Sequence, residues 1–233
     1  MITLQKIQKI PALVITAGLL FLAMFAVAGC AGHDSKSSLM HTTSTEKGTN
    51  ADGFVQHWLI LEPITANGDT QNAVQEAVKT EHFPNELTVI PHDGDKVTVD
   101  GTELTWHAVD TNEYNVNLYY FASAFGKNAN NALFWAVTVV ECPHEMPGVR
   151  LAIGSNSASV WWVNGKEVIG IYGDRQTVVD DGVSKRLTLK KGPNVIRGAI
   201  VNRSGAADFC ARFLDAYDQP LKGFTVRVGD AGK

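Results

Sequence analysis

Four consecutive residues, Tyr172-Gly173-Asp174-Arg175, bring together an aromatic ring, a carboxylate and a guanidinium. That set suits a carbohydrate, because a pyranose offers apolar C–H faces to a ring and hydroxyls to planar donors and acceptors. Trp162 adds a second flat platform if it faces outward. Sets suited to catalysis are harder to find. The G-x-S-x-G elbow of a serine hydrolase is missing, and Ser155 and Ser204 sit beside glycines where turn chemistry accounts for them. Glycosidases need two carboxylates across a cleft, and among 24 acidic residues no pair stands out. Asp93-Gly94-Asp95 and Asp180-Asp181-Gly182 read as solvated turns, since calcium wants about six or more converging oxygens. His57, His82, His92, His107 and His144 lack the spacing of zinc ligands. No catalytic residue, metal or cofactor is expected. Tyr114, Tyr119, Tyr120, His107 and Arg150 are the residue types with which a jelly-roll polysaccharide lyase would move a proton, and they form the enzymatic alternative.

The Tyr172 loop ends a hairpin. Asn164-Gly165 separates Val160-Trp161-Trp162-Val163 from Val168, Ile169, Ile171 and Tyr172, and Asn-Gly readily takes the two positive-φ positions of a type I′ turn. Side chains alternate across a strand, so Trp161 and Trp162 point to opposite faces and at most one belongs to the main core.

Met1 to Cys30 carries Lys6 and Lys9, an apolar run from Ile10 to Ala28, and then Gly29-Cys30. This is the pattern of an export signal, although the run is also long enough for a spanning helix. The small residues before the lone cysteine resemble the lipobox of bacterial lipoproteins. That resemblance implies cleavage after residue 29, with Cys30 becoming the lipid-modified N-terminus. It also implies an extracytoplasmic place in the bacterial envelope, on the outer membrane or cell surface, with the membrane met only through the lipid. An uncleaved anchor would leave the rest of the chain on the same side. Without the signal the chain has 18 basic and 24 acidic residues, a charge of −6. Such a balance, with no basic cluster, argues against nucleic acid. Cys142 and Cys210 remain, either bridged or separately buried.

Residues 30–52 are polar and expected to be a flexible tether; residues 53–229 should form one β-sandwich domain and 230–233 a tail. Phe54 to Leu61 reads as a strand. Ala73, Val74, Ala77 and Val78 recur at helical spacing, so a helix capped by Asp69 or Thr70 should run to about His82. All that follows reads as strand and turn, with Val116 to Phe121 extended, Asp100-Gly101 a second hairpin turn, and Leu133 to Val140 apolar enough to be covered on both faces. The expected class is all-β: an antiparallel jelly-roll or Greek-key sandwich with one short helix near its start.

The order of motifs resembles the galactose-binding-like jelly-roll modules attached to bacterial carbohydrate-active enzymes such as acetylxylan esterases and glycoside hydrolases. It rests on Phe54 to Pro63, Gly94-Asp95-Lys96-Val97 to Trp106, Phe134-Trp135-Ala136-Val137, Gly154-Ser155 to Lys166, Leu189 to Asn194, and Phe209-Cys210-Ala211-Arg212. The resemblance implies a non-catalytic module that binds a polysaccharide or oligosaccharide, alone or beside a partner enzyme, with Trp161 and Val163 facing inward. Where that family often carries two aspartates after Gly-Ser, this chain has Asn156 and Ser157, and where it often has Trp after the late glycine, this chain has Pro193. The expected role is therefore that of a carbohydrate-binding or accessory lipoprotein with Trp162, Tyr172, Asp174 and Arg175 as ligand contacts. A structural, protein-interaction lipoprotein is the alternative of a different class.

Overall fold

Asn164 and Gly165 take φ of 51° and 76°, the left-handed pair that a type I′ turn requires. Asp100 and Gly101, at 48° and 78°, do the same one hairpin earlier. Around these turns the computed structural model describes residues 39–41, 46–67, 69–173 and 175–229. The expected signal peptide, Cys30, Asp174 and the 230–233 tail lie outside the described residues.

In chain order the first strands are β1 (Leu39–His41), β2 (Glu46–Gly48), β3 (His57–Leu61) and β4 (Ile64–Thr65), followed by helix α1 (Gln71–Lys79). Next come β5 (Lys96–Val99), β6 (Thr102–Thr111), β7 (Val116–Asn117) and helix α2 (Leu118–Ala124). The remainder is β8 (Ala132–Cys142), β9 (Met146–Ser155), β10 (Ala158–Val163), β11 (Lys166–Ile171), β12 (Gly182–Val183), β13 (Leu187–Leu189), β14 (Gly192–Asn202), β15 (Asp208–Leu214) and β16 (Thr225–Arg227). The larger sheet runs β1-β6-β3-β8-β14-β10-β11, with β4 and β16 also on β8, β2 on β16 and β5 on β6. The smaller runs β12-β9-β15-β7, with β13 on β9. The pairings are antiparallel, and the molecule is an all-β sandwich.

Strand alternation sends Trp58, Phe134, Trp161, Ile200, Phe209 and Phe213 into the space between the sheets. Leu59, Trp106, Trp135, Val160, Trp162 and Ala199 point to the opposite side of the larger sheet. There α1 covers them with Val74 and Val78, helped by Phe83 from the segment that follows. The expectation that Leu133 to Val140 is covered on both faces holds, since β8 lies between β3 and β14 and is buried along nearly its whole length. Trp161 and Trp162 do face opposite ways, each into its own core. Gly198, opposite Trp161 on β14, leaves room for the indole: a Cβ there would stand 2.5 Å from the ring.

Three local expectations change. The helix capped by the Thr70 hydroxyl, which accepts from Ala73 N at 3.1 Å, stops at Lys79 rather than near His82. Residues 118–121 are not extended. The Asn117 side chain caps α2 by accepting from Tyr120 N, and Leu118, Phe121 and Ala122 recur at helical spacing into the inner core, so the fold has two helices rather than one. The stretch expected as a tether contributes β1 and β2, and Lys47 of β2 pairs with Asp110 of β6. Its composition argues only about burying apolar side chains. It says nothing about adding backbone to an open strand edge.

Candidate functional site

At one end of the sandwich the chain crosses between elements repeatedly: β9 to β10 through Asn156-Ser157, β14 to β15 through residues 203–207, and α2 to β8 through residues 125–131. Residues 172–173 and 175–178, after β11, run along the same end, because Ile171 pairs with Ser159 and Arg175 N donates to Asn156 O. Buried amides and hydroxyls tie these crossings together. Asn156 Oδ1 accepts from Asp208 N at 2.9 Å, and Ser157 Oγ donates to Asn202 Oδ1 at 3.0 Å. Asn202 Nδ2 in turn donates to Ala129 O at 2.7 Å. The network continues to Thr177, whose hydroxyl donates to the Asp208 carboxylate. Burial pushes the Asp208 carboxyl above the ordinary carboxylate range, and hydrogen bonds from Thr177 and Asn115 offset part of that rise.

Of the residues the sequence singles out, Tyr172 and Arg175 meet here. Arg175 donates to Tyr172 O at 2.8 Å and pairs with Asp181 at 2.6 Å. The Tyr172 ring folds back over Gly170, so that a Cβ there would stand 3.0 Å from the ring. Trp162 belongs elsewhere: it adjoins the Asn164-Gly165 turn at the far end of the hairpin, only 8 % exposed, tilted against Trp135 at 5.8 Å. It is a core residue and not a platform at this end.

Other aromatic rings serve the end instead. Tyr119 and Tyr120 are 47 % and 44 % exposed, with ring centroids 6.4 Å apart. Helix α2 carries them across the gap between the sheets, its first amides bonded to Ala207 O and its Phe121 and Phe125 rings packed on His107 of β6. Sequence reading took these tyrosines only as lyase candidates, and the Asn117 cap was the signal that would have placed them on a helix. The lyase set does not converge. Arg150 pairs across β15 with Leu214, whereas α2 begins where Asp208 pairs with Asn117, so roughly 20 Å of strand lies between. Arg150 is engaged with Ser184 O and Asp218, and His107 lies under Phe125.

The acidic turns have partners of their own. Asp93 accepts from Ala108 N, Asp95 from His92 N, and Asp180 and Asp181 pair with Arg212 and Arg175. Cys142 and Cys210 are not bridged. Both thiols are free and buried, Cys142 beside Asn194 on the larger sheet and Cys210 against Gly154 on the smaller. Burial pushes the Cys210 thiol up to about 11.

No family model matches the sequence, and no curated protein matches it. Some solved structures are similar. A β-glucosidase from Kluyveromyces marxianus aligns at a TM-score of 0.42 with 15 % identity, over 77 % of this chain and 20 % of that one. The chain thus spans about a fifth of that enzyme. A PA14 sugar-binding domain from an RTX adhesin aligns at 0.40 with 13 % identity, over 75 % of this chain and all of that one. The PA14 domain of the MpAFP antifreeze protein aligns at 0.42 with 8 % identity, over 83 % and 97 %. Likenesses of this degree assign no family.

Proposed function

We propose that the protein is a non-catalytic carbohydrate-binding lipoprotein of the bacterial envelope, galactose-binding-like in fold, held by lipid on Cys30 and accessory to a polysaccharide-processing system. The observation that carries this reading is the loop end itself. It sets the exposed Tyr119 and Tyr120 rings beside crossings fixed by buried amides, while both faces of the larger sheet are covered. Rings for C–H faces and planar amides for hydroxyls are what a saccharide needs.

Affinity gel electrophoresis across plant and algal polysaccharides tests the binding. Retardation by at least one polysaccharide is expected, weakened by Tyr119→Ala with Tyr120→Ala; uniform silence overturns the reading. Thiol titration of the denatured mature protein tests the anchor. Of three cysteines, two should react if Cys30 carries lipid, and all three if it does not.

A further inference from the structure

We infer that a hollow at the loop end, between β4, the start of β6 and the loop 125–131, is the subsite for a neutral saccharide unit, an inference that rests on the carbohydrate reading above. Its volume is about 380 Å³, near the lower limit for small-molecule sites. Ile64 and Leu104, both buried, give it an apolar floor. Thr65 and Thr102 add hydroxyls at the rim, and Asn128 and Asn130 add amides. This is the mixture a pyranose presents from its own side, C–H patches flanked by hydroxyls.

The amides are held before any ligand arrives. Asn128 Oδ1 accepts from Asn130 N at 2.9 Å, and Asn130 Oδ1 accepts from Gly205 N at 3.1 Å. The backbone is pinned as well, with Ala129 O bonded to Asn202, Asn131 N to Arg203 O, and Ala66 N to Asn131 O. Each side chain thus spends its oxygen within the protein and keeps its NH₂ group to donate. A loop fixed this way loses little freedom on binding.

Charge decides the class of sugar. The cation in the lining, Lys127, stands 3.1 Å from Glu62 Oε2, whose other oxygen is 3.2 Å from His107 Nε2. His107 is in turn stacked on Phe125 at 3.7 Å. Glu62 balances Lys127, so the hollow offers donors without net positive charge. A uronate or phosphate gains nothing there that a hydroxyl does not.

The test uses the full mature chain and calorimetric titration with cellotetraose, xylotetraose, mannotetraose and tetragalacturonate. The wild type should bind at least one of the three neutral probes in preference to tetragalacturonate. Thr102→Trp, at an exposed strand position that accepts aromatic residues, should fill the hollow and weaken binding at least tenfold. Asn128→Asp with Asn130→Asp keeps the two oxygens that hold the loop and removes the donors; it should weaken binding similarly with an unchanged melting temperature. Neutral binding that survives both variants overturns this subsite and leaves the carbohydrate reading standing. Preference for tetragalacturonate overturns the neutral class. Binding of none of the four overturns this subsite, and the carbohydrate reading then stands or falls by the gel assay above.

Discussion

The core between the sheets satisfies its indoles, whereas the core outside the larger sheet leaves one, that of Trp135, without a bond among the described residues. Between the sheets, Trp58 donates to Val55 O at 2.9 Å and Trp161 to Ser159 Oγ at 3.0 Å. With Phe209 these two form a three-ring cluster at centroid distances of 5.1 to 6.0 Å, all edge-on. In the outer core the Trp135 indole N–H is buried and bonds to no described residue. The outer cover is a short helix and an irregular segment, and Arg197 holds that segment by donating to Glu86 O and Val89 O from beneath. Its guanidinium is pushed down to about 10, chiefly by burial. The difference teaches that the inner core specifies the sandwich, while the outer core closes a sheet face. With both faces of the larger sheet closed, the proposed recognition falls to the loops.

Breaking the inner cluster should have the largest effect. Trp161→Ala removes a fully buried ring from the three-ring contact and should cost about 3–5 kcal/mol by urea unfolding. Trp162→Ala should cost less, because it is 8 % exposed where Trp161 is fully buried, and it meets Trp135 alone among the aromatics; equal costs would erase the distinction. The indole bonds sharpen it further. Trp58→Phe should be more destabilising than Trp135→Phe by about 1–3 kcal/mol, since only the first leaves a buried acceptor without its donor. Arg197→Met strips one buried and one half-buried carbonyl of their donor and should cost about 1–2 kcal/mol. Hydrogen exchange should then quicken across residues 82–90 while β8 and β14 stay protected.

The smallest effect belongs to the loop end. Asp208 holds its proton more tightly folded than unfolded, so its contribution favours folding at pH below the unfolded value of about 3.9. That contribution is lost as pH rises from there through the raised native value. Asp208→Asn should remove this acid-side slope from the stability profile, and an unchanged profile would show that the carboxyl is not held as the structure places it.

The cores were legible because their signals are local. Asn164-Gly165 fixed a register, alternation fixed the faces of Trp161 and Trp162, and the apolar run of β8 showed a strand covered on both sides. The loop end was not, because its parts are far apart in the chain. Asn202 reaches Ala129 across 73 positions and Asp208 reaches Asn156 across 52, and no periodicity links such residues. Tyr172 and Arg175 could be read as neighbours because only two residues separate them in the chain. Trp162 was misplaced as a platform because its cover, α1 with Phe83, comes from 80 or so positions upstream.

Backbone amide shifts in ¹⁵N-labelled protein, followed while adding an oligosaccharide of a polysaccharide that retards it in gels, test most directly whether recognition is confined to the loops. The expected shifts gather at residues 62–65, 118–131, 155–157, 172–178 and 202–208. Shifts centred on α1 or along the β10–β11 hairpin would mean that a sheet face binds the sugar, and would contradict the account.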